Sequence, residues 1–135
     1  MQPMNVPQVL LISSDLMASS RLAGAVRSAG AELETLAGAA GVPRAGGFDI
    51  VLLDLQSLAA DPASLVARAR ELGGPAAKVV AFGPHVWQDR LDAAVAAGAD
   101  EAVSRGAMMG DVAAVIRRWT QPQVQVSYLH SKWRR

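Results

Sequence analysis

The chain has 135 residues and no cysteine, so its length suits one domain with a buried core, while disulfides, thiolate metal sites and a cysteine nucleophile are excluded. Its 13 basic and 12 acidic residues leave a net charge of +1, which does not indicate a nucleic-acid or membrane binder. Hydrophobic residues make up 51% of the sequence, but the apolar runs fall far short of the ~20 residues that a membrane helix needs, so we expect a soluble protein. MQPMNVPQ at the start has no export signal, so we expect a cytoplasmic location.

The first part of the chain alternates apolar runs with a helical pattern. VLLIS (9–13) is a continuous apolar run, which is typical of strands covered on both faces. Apolar residues with helical spacing follow over 22–29, and AELETLA (31–37) is a weaker strand candidate. GAAGVPRAGG (38–47) predicts either a short helix or only a loop. DIVLLDL (49–55) predicts the next strand.

The second part continues the alternation. An N-cap aspartate and a proline in the first turn introduce a helix over 61–74, which ends on two glycines. KVVAFG (78–83) predicts a strand, a helical pattern follows over 91–98, and EAVSR (101–105) predicts the last strand. The apolar residues of 112–119 recur at the i, i+3, i+4, i+7 positions of an amphipathic helix.

This alternation over residues 1–120 predicts a single α/β domain, because right-handed crossovers place helices on both faces of a parallel sheet. We predict a flavodoxin-like (βα)5 doubly wound sandwich with five parallel strands in the order 2-1-3-4-5. Residues 121–135 fall outside the pattern and are predicted to form an extended or disordered tail. Functional groups in such a fold collect beyond the carboxyl ends of the strands.

Three blocks, VLLISSD, FDIVLLDL and AGADEAVSRG, resemble at these separations the signature blocks of response-regulator receiver domains. The resemblance covers roughly residues 8–120 and implies that Asp54 stands at the position that the family phosphorylates. It also assigns six positions where this sequence departs from the family. Ser13 and Ser14 replace the acidic pair that holds Mg²⁺, Gly83 the Thr or Ser, Ala102 the switch aromatic, Arg105 the lysine and Gly106 the proline that follows the lysine.

Each departure weakens the chemistry that the resemblance implies. Two neutral hydroxyls are poor replacements for two carboxylates at a Mg²⁺ site, and Asp15 alone does not restore the pair. Gly83 offers no hydroxyl to a phosphoryl oxygen, Ala102 offers no ring, and Arg105 presents a planar fork in place of a point charge. We therefore predict a degenerate receiver, without enzymatic activity or cofactor, that acts as a phosphorylation-independent protein-interaction module in bacterial signal transduction.

The alternative is an active receiver that is phosphorylated on Asp54 in a two-component phosphorelay, with Asp15 and Asp54 as residual Mg²⁺ ligands. Within the degenerate reading, Asp54 is expected to form an ion pair with Arg105. Asp15 is expected to cap the first helix, since SSD before a helix is a capping pattern. His85 is expected to be an exposed loop residue, because no second His or Cys completes a metal site.

The resemblance implies a signalling protein as partner, either a histidine kinase or a downstream effector. A homodimer through residues 87–119 or through the tail is the alternative, with Trp87 and Trp119 as candidate anchors on the first of these surfaces. In the tail, QVQVSYL (123–129) has strand periodicity with one apolar face and suits pairing with a sheet edge or a partner chain. The basic HSKWRR that follows leaves a nucleic-acid contact as a further alternative.

Overall fold

Five strands form one parallel sheet in the computed structural model, which describes residues 6–120. The strands are ordered β2-β1-β3-β4-β5, and every neighbouring pair is parallel. This confirms the flavodoxin-like fold and the predicted order 2-1-3-4-5, with the weak strand candidate at one edge of the sheet. The strands are β1 (Gln8–Ile12), β2 (Glu32–Leu36), β3 (Ile50–Asp54), β4 (Lys78–Gly83) and β5 (Glu101–Ser104).

Five helices cover the two faces of the sheet. The buried residues of α2 and α3 pack on one face, and those of α1, α4 and α5 pack on the other. A 3-10 turn at His85–Trp87 leads into α3. The helices are α1 (Leu16–Ser28), α2 (Pro62–Gly73), α3 (Gln88–Ala96), α4 (Arg105–Gly110) and α5 (Val112–Thr120).

The central strands lie in the core because both of their faces are covered. Every residue of β3 is buried, and alternate residues point to opposite helical layers: Val51 and Leu53 face α2 and α3, whereas Ile50 and Leu52 face α1 and α5. The continuous apolar runs of the sequence are explained by this double coverage. The edge strands β2 and β5 are only partly covered, and they are less apolar.

The chain between β2 and β3 forms a loop, which decides between the two possibilities that the sequence left open. The Glu34 carboxylate accepts the backbone N–H of Arg44 at 2.6 Å and that of Ala45 at 3.1 Å. The Arg68 side chain donates to the carbonyls of Ala39 at 2.7 Å and Gly41 at 3.2 Å. These bonds satisfy backbone groups that helical bonds would otherwise use, and they fix the loop.

The last strand is shorter than predicted, because Arg105 begins α4 instead of ending β5. The Ser104 hydroxyl accepts the backbone N–H of Ala107 at 3.1 Å, which is the bond of a helix N-cap. At the start of α2, the predicted cap is confirmed: Asp61 accepts the N–H of Ser64, and Pro62 occupies the first turn.

Within residues 6–120, no helix combines the length and the hydropathy that crossing a membrane requires. The predicted tail, residues 121–135, lies outside the described residues, as do the first five residues.

Candidate functional site

Asp54 is the last residue of β3 and lies at the carboxyl edge of the sheet, where functional groups of this fold collect. Its register partner in β4 is Phe82, and Ser13 follows the neighbouring strand β1. Asp54 is 0% exposed, and Ser13 is 2% exposed. These two are the buried polar residues among those described, so the site begins with a carboxylate and a hydroxyl that share one enclosed space.

Both oxygens of Asp54 are engaged by neutral donors. The Ser13 hydroxyl donates to Oδ2 at 2.8 Å. The backbone N–H groups of Gln56 and Ser57 donate to Oδ1 at 3.0 Å and 3.4 Å. The carboxylate therefore folds back onto the turn that follows its own strand, and its oxygens accept hydrogen bonds from neutral groups instead of pairing with a cation.

Ser57 joins the loop after β3 to the loop after β1. Its hydroxyl lies 3.3 Å from the Ser13 hydroxyl and accepts the backbone N–H of Ser14 at 3.0 Å. The Ser14 hydroxyl in turn donates to the Ser57 carbonyl at 2.7 Å. The two serines at the positions of the acidic pair thus form a polar bridge beside Asp54, and we refer to Ser13, Ser14 and Ser57 as the serine bridge.

Ser57 is the residue of the site that sequence reasoning missed. It stands three positions after Asp54 in DLQS. An Asp side chain at the end of a strand often accepts the backbone N–H groups two and three residues later and so closes a turn, and this tendency is the signal that could have pointed to Ser57. Its meeting with Ser13 and Ser14 depends on the crossover from β1 to β3, which brings residues more than 40 positions apart into contact.

The predicted ion pair between Asp54 and Arg105 is wrong. Arg105 instead forms a salt bridge with Asp15, with 3.2 Å between Nη2 and Oδ2, and donates from Nη1 to the side-chain oxygen of Gln56 at 3.3 Å. The physical reason is depth: Asp15 and Arg105 each keep about a third of the side chain in solvent, at 34% and 32% exposure, whereas pairing with Asp54 would require the guanidinium to be buried.

Asp15 caps α1 as the sequence predicted. Its Oδ1 accepts the backbone N–H of Met17 at 3.0 Å and that of Ala18 at 3.1 Å. The bond from Ala18 is the strongest influence that holds the pKa of Asp15 below its ordinary value of 3.8, and the bonds from Arg105 and Met17 act in the same direction against a partial loss of solvent.

This lowered pKa predicts a contribution to stability that depends on pH. Because the carboxylate of Asp15 ionises more readily in the folded chain, its contribution is present above about pH 3.8 and is lost as the pH falls through the lower folded-state value. Asp15→Asn keeps a capping oxygen but cannot titrate. We expect its free energy of unfolding, measured with urea, to decline less steeply below pH 3.8 than that of the unchanged chain. If the free energies of unfolding of the two chains decline equally below pH 3.8, the pKa of Asp15 is not lowered in the folded chain.

Gly83 and Ala102 lie near the site but bring no polar group to it. A Cβ atom at Gly83 would lie 3.7 Å from Cβ of Leu55, 3.8 Å from a methyl of Leu91 and 4.0 Å from the Trp87 ring, all apolar neighbours. Ala102 is half-buried and packs against the same layer. His85 is exposed at the start of the 3-10 turn, as predicted.

The residues at this edge of the sheet do not fit the Mg²⁺ that the receiver fold implies. Mg²⁺ requires charged oxygen ligands in near-octahedral geometry. Here Asp54 already accepts three hydrogen bonds, Asp15 is directed at the α1 backbone and Arg105, and the remaining oxygens are neutral hydroxyls of the serine bridge. Within residues 6–120, no cluster of three or more His, Asp or Glu residues could hold a metal ion.

No protein-family model matches the sequence, and no curated protein matches it either. The structure is similar to a response regulator receiver domain protein from Clostridium thermocellum, with a TM-score of 0.73 and 14% identity over 90% of this chain and 99% of that one.

Two further solved structures match at similar levels. A response regulator from Burkholderia pseudomallei, which contains a phosphorylated aspartic acid and a calcium ion, matches with a TM-score of 0.64 and 18% identity over 92% of this chain and 72% of that one. The receiver domain of a Saccharomyces cerevisiae response regulator, crystallised with a histidine phosphotransfer signalling protein, matches with a TM-score of 0.66. The identity is 12% over 87% of this chain and 91% of that one. At these identities the likeness shows that the chain has the receiver-type fold.

Proposed function

We propose that this chain is a receiver-type module of cytoplasmic, bacterial signal transduction that acts through protein contacts and without an aspartyl phosphate. The observation that carries the proposal is the environment of Asp54, the residue at the phosphoacceptor position. Its carboxylate is completely buried, and both of its oxygens accept hydrogen bonds from the protein itself.

Access is the first obstacle to phosphorylation. An attacking carboxylate oxygen must approach the phosphorus of a donor in line with the leaving group. Oδ2 of Asp54 is occupied by the Ser13 hydroxyl, and the serine bridge joins the two loops beside it. Attack would therefore require these loops to separate and their hydrogen bonds to break.

Charge is the second obstacle. The transferring phosphoryl group spreads negative charge over its oxygens, and catalysts of this reaction place cations around it. The guanidinium of Arg105 is already paired with Asp15, and the acidic pair that would hold a metal ion is replaced by Ser13 and Ser14. The site supplies hydrogen-bond donors to the carboxylate of the resting state, and it offers little to the charge of a transition state.

The surface proposed to contact a signalling partner, a histidine kinase or a downstream effector, lies within residues 87–119 and the turn before it. Val86 is 74% exposed, and Val95 on α3 is 49% exposed. Between them, Trp87 is half-buried and stacks with the guanidinium of Arg90, whose carbon lies 5.2 Å from the ring centroid. A partly exposed Trp next to the exposed Val86 has the composition of an interface anchor.

Trp119, the other candidate anchor, has a structural role. Its Nε1 donates to Oε1 of Glu101 at 2.6 Å, which fixes the end of α5 against the start of β5. The proposed anchor on this surface is therefore Trp87.

The proposal predicts that Asp54 stays unmodified when the chain is incubated with acetyl phosphate and millimolar Mg²⁺. Intact-mass spectrometry should show no gain of a phosphoryl group, because the oxygen is covered and the metal ligands are missing. A receiver domain that keeps both acidic residues serves as the positive control in the same buffer.

Asp54→Asn is the matched negative control for this experiment. A mass gain that the unchanged chain shows and Asp54→Asn does not would overturn the proposal and establish an active phosphoacceptor. A gain that persists in Asp54→Asn would come from another residue and would leave the proposal standing.

A further inference from the structure

The outer edge of β5 is open within the described part of the chain. β5 pairs with β4 on one side, and no strand of residues 6–120 pairs with its other side. All of its residues are half-buried, in contrast to β4, which is buried from Val79 to Gly83. An open edge presents backbone N–H and C=O groups that can pair with another strand.

The two edges of the sheet differ in their protection. The other edge, β2, carries Glu32, Glu34 and Thr35, and charges on an edge oppose pairing with a further strand. β5 carries a single charged residue, Glu101, which Arg118 and Trp119 of α5 bind through its carboxylate. The rest of β5 is Ala, Val and Ser, so it lacks the lysine, proline or bulge that commonly blocks an edge.

The described chain ends beside the first residue of this open strand. Arg118 Nη2 lies 2.7 Å from Oε2 of Glu101, so the last turn of α5 sits at the amino end of β5. The segment that follows Thr120 begins there. Gln121 and Pro122 lead into 123–128, in which Val124, Val126 and Tyr128 alternate with polar residues in the manner of a strand with one apolar face.

Parallel pairing of this segment with its own β5 is opposed by the handedness of crossovers. The helices α2 and α3 connect β3, β4 and β5 in sequence and lie on one face, whereas α5 lies on the opposite face with α1. A strand placed beyond β5 through α5 would continue in the same direction with its helix on the wrong face. That connection is left-handed, and about 98% of such crossovers are right-handed.

Antiparallel pairing with its own β5 is opposed by distance. It would have to begin at the carboxyl end of β5, about 10 Å from the amino end for three intervals of roughly 3.3 Å each. The three intervals from Thr120 to Gln123 also span about 10 Å when fully extended, which leaves no length for the turn that brings the chain from α5 to the edge of the sheet. Neither restriction applies to the β5 of another molecule.

We infer that two copies of this chain exchange their tails, residues 123–128 of each adding as a strand to the open β5 edge of the other. The pairing is isologous, because the same tail and the same edge are used in both directions. Main-chain hydrogen bonds along the edge supply affinity, and the apolar side of the added strand selects the face that it covers. The partner of this surface is a second copy of the chain.

Matched charge substitutions test the apolar face of the tail. Sedimentation equilibrium of the full chain should show a concentration-dependent dimer. The double change Val124→Lys and Val126→Lys should abolish it, whereas Gln123→Lys and Gln125→Lys, with the same added charge on the polar side, should retain it. A full chain that stays monomeric, or a dimer that survives the two valine substitutions, overturns the inference.

The cysteine-free sequence allows a second test, which separates exchange from pairing within one chain. Ala102→Cys and Val126→Cys are made in separate chains, mixed and oxidised, and a disulfide-linked heterodimer is expected. Ala37→Cys, just beyond the opposite edge strand, replaces Ala102→Cys as the control and should give no heterodimer with Val126→Cys. If the two pairs crosslink equally, or if a chain with both Ala102→Cys and Val126→Cys forms only an internal disulfide in a monomer, exchange is excluded.

These tests do not involve the chemistry of Asp54. A mass gain with acetyl phosphate would overturn the proposed function and leave the exchanged dimer untouched, and a monomeric full chain would do the reverse.

Discussion

Asp54→Ala is expected to lower the free energy of unfolding by about 3 kcal/mol, because it removes the acceptor of three hydrogen bonds at once. The Ser13 hydroxyl, which is buried, loses its shortest bond, and the backbone N–H groups of Gln56 and Ser57 lose their partner. A buried donor without an acceptor costs about 1 to 3 kcal/mol, and the weaker, part-buried bonds lie at the low end of that range. Urea unfolding at neutral pH measures the change.

Asp54→Asn is the control that separates hydrogen bonding from charge. Its side-chain oxygen can still accept the two backbone N–H groups, and its amide can donate to the Ser13 hydroxyl, which then donates to Ser57 at 3.3 Å. We expect a smaller loss than for Asp54→Ala. If the alanine variant is as stable as the unchanged chain, water must reach this place and replace the lost hydrogen bonds. The Asp54 carboxylate of the unchanged chain would then also be accessible to a phosphodonor, which would contradict the account.

Phe82→Ala is expected to cost about 3 to 5 kcal/mol, the usual range for deleting a buried ring. Phe82 is fully buried in β4 and pairs in register with Asp54 on one side and Val103 on the other. Its side chain belongs to the core layer that also holds Met108 of α4 and Val112 of α5. The cavity would therefore open directly beneath the strands that carry the candidate site.

Phe82→Leu retains much of the apolar contact and should cost clearly less, which distinguishes a cavity from a change in strand pairing. Both variants are measured by urea unfolding. A cost of less than about 1 kcal/mol for Phe82→Ala would contradict the close packing of this layer.

The fold followed from the sequence because continuous apolar runs and helical spacing report burial directly. β3 illustrates this: Ile50 to Leu53 are apolar because both faces of the strand are covered, and the sequence shows it without knowledge of any contact. The end of β5 was less clear, since Ser104 acts both as the last strand residue and as the N-cap of α4. The local sequence does not show at which of these residues the strand ends and the helix begins.

The candidate site followed only in part. The sequence placed Asp54, Ser13, Ser14 and Arg105 at one edge of the sheet, but it did not determine which of them touch. The pairing of Arg105 with Asp15 depends on the depth of each group, and depth is a property of the packed structure. The contacts of Ser57 with Ser13 and Ser14 could not be predicted either, because these residues lie more than 40 positions away along the chain.

Titration with beryllofluoride in millimolar Mg²⁺ tests most directly whether Asp54 is closed to a phosphoryl group. Backbone amide resonances of Gln56, Ser57 and Ser104 report on the space around Asp54 at the ends of β3 and β5. We predict that these resonances stay unchanged throughout the titration. Saturable shifts of these amides that disappear in Asp54→Asn would show a phosphoryl analogue bound at Asp54 and would contradict the account.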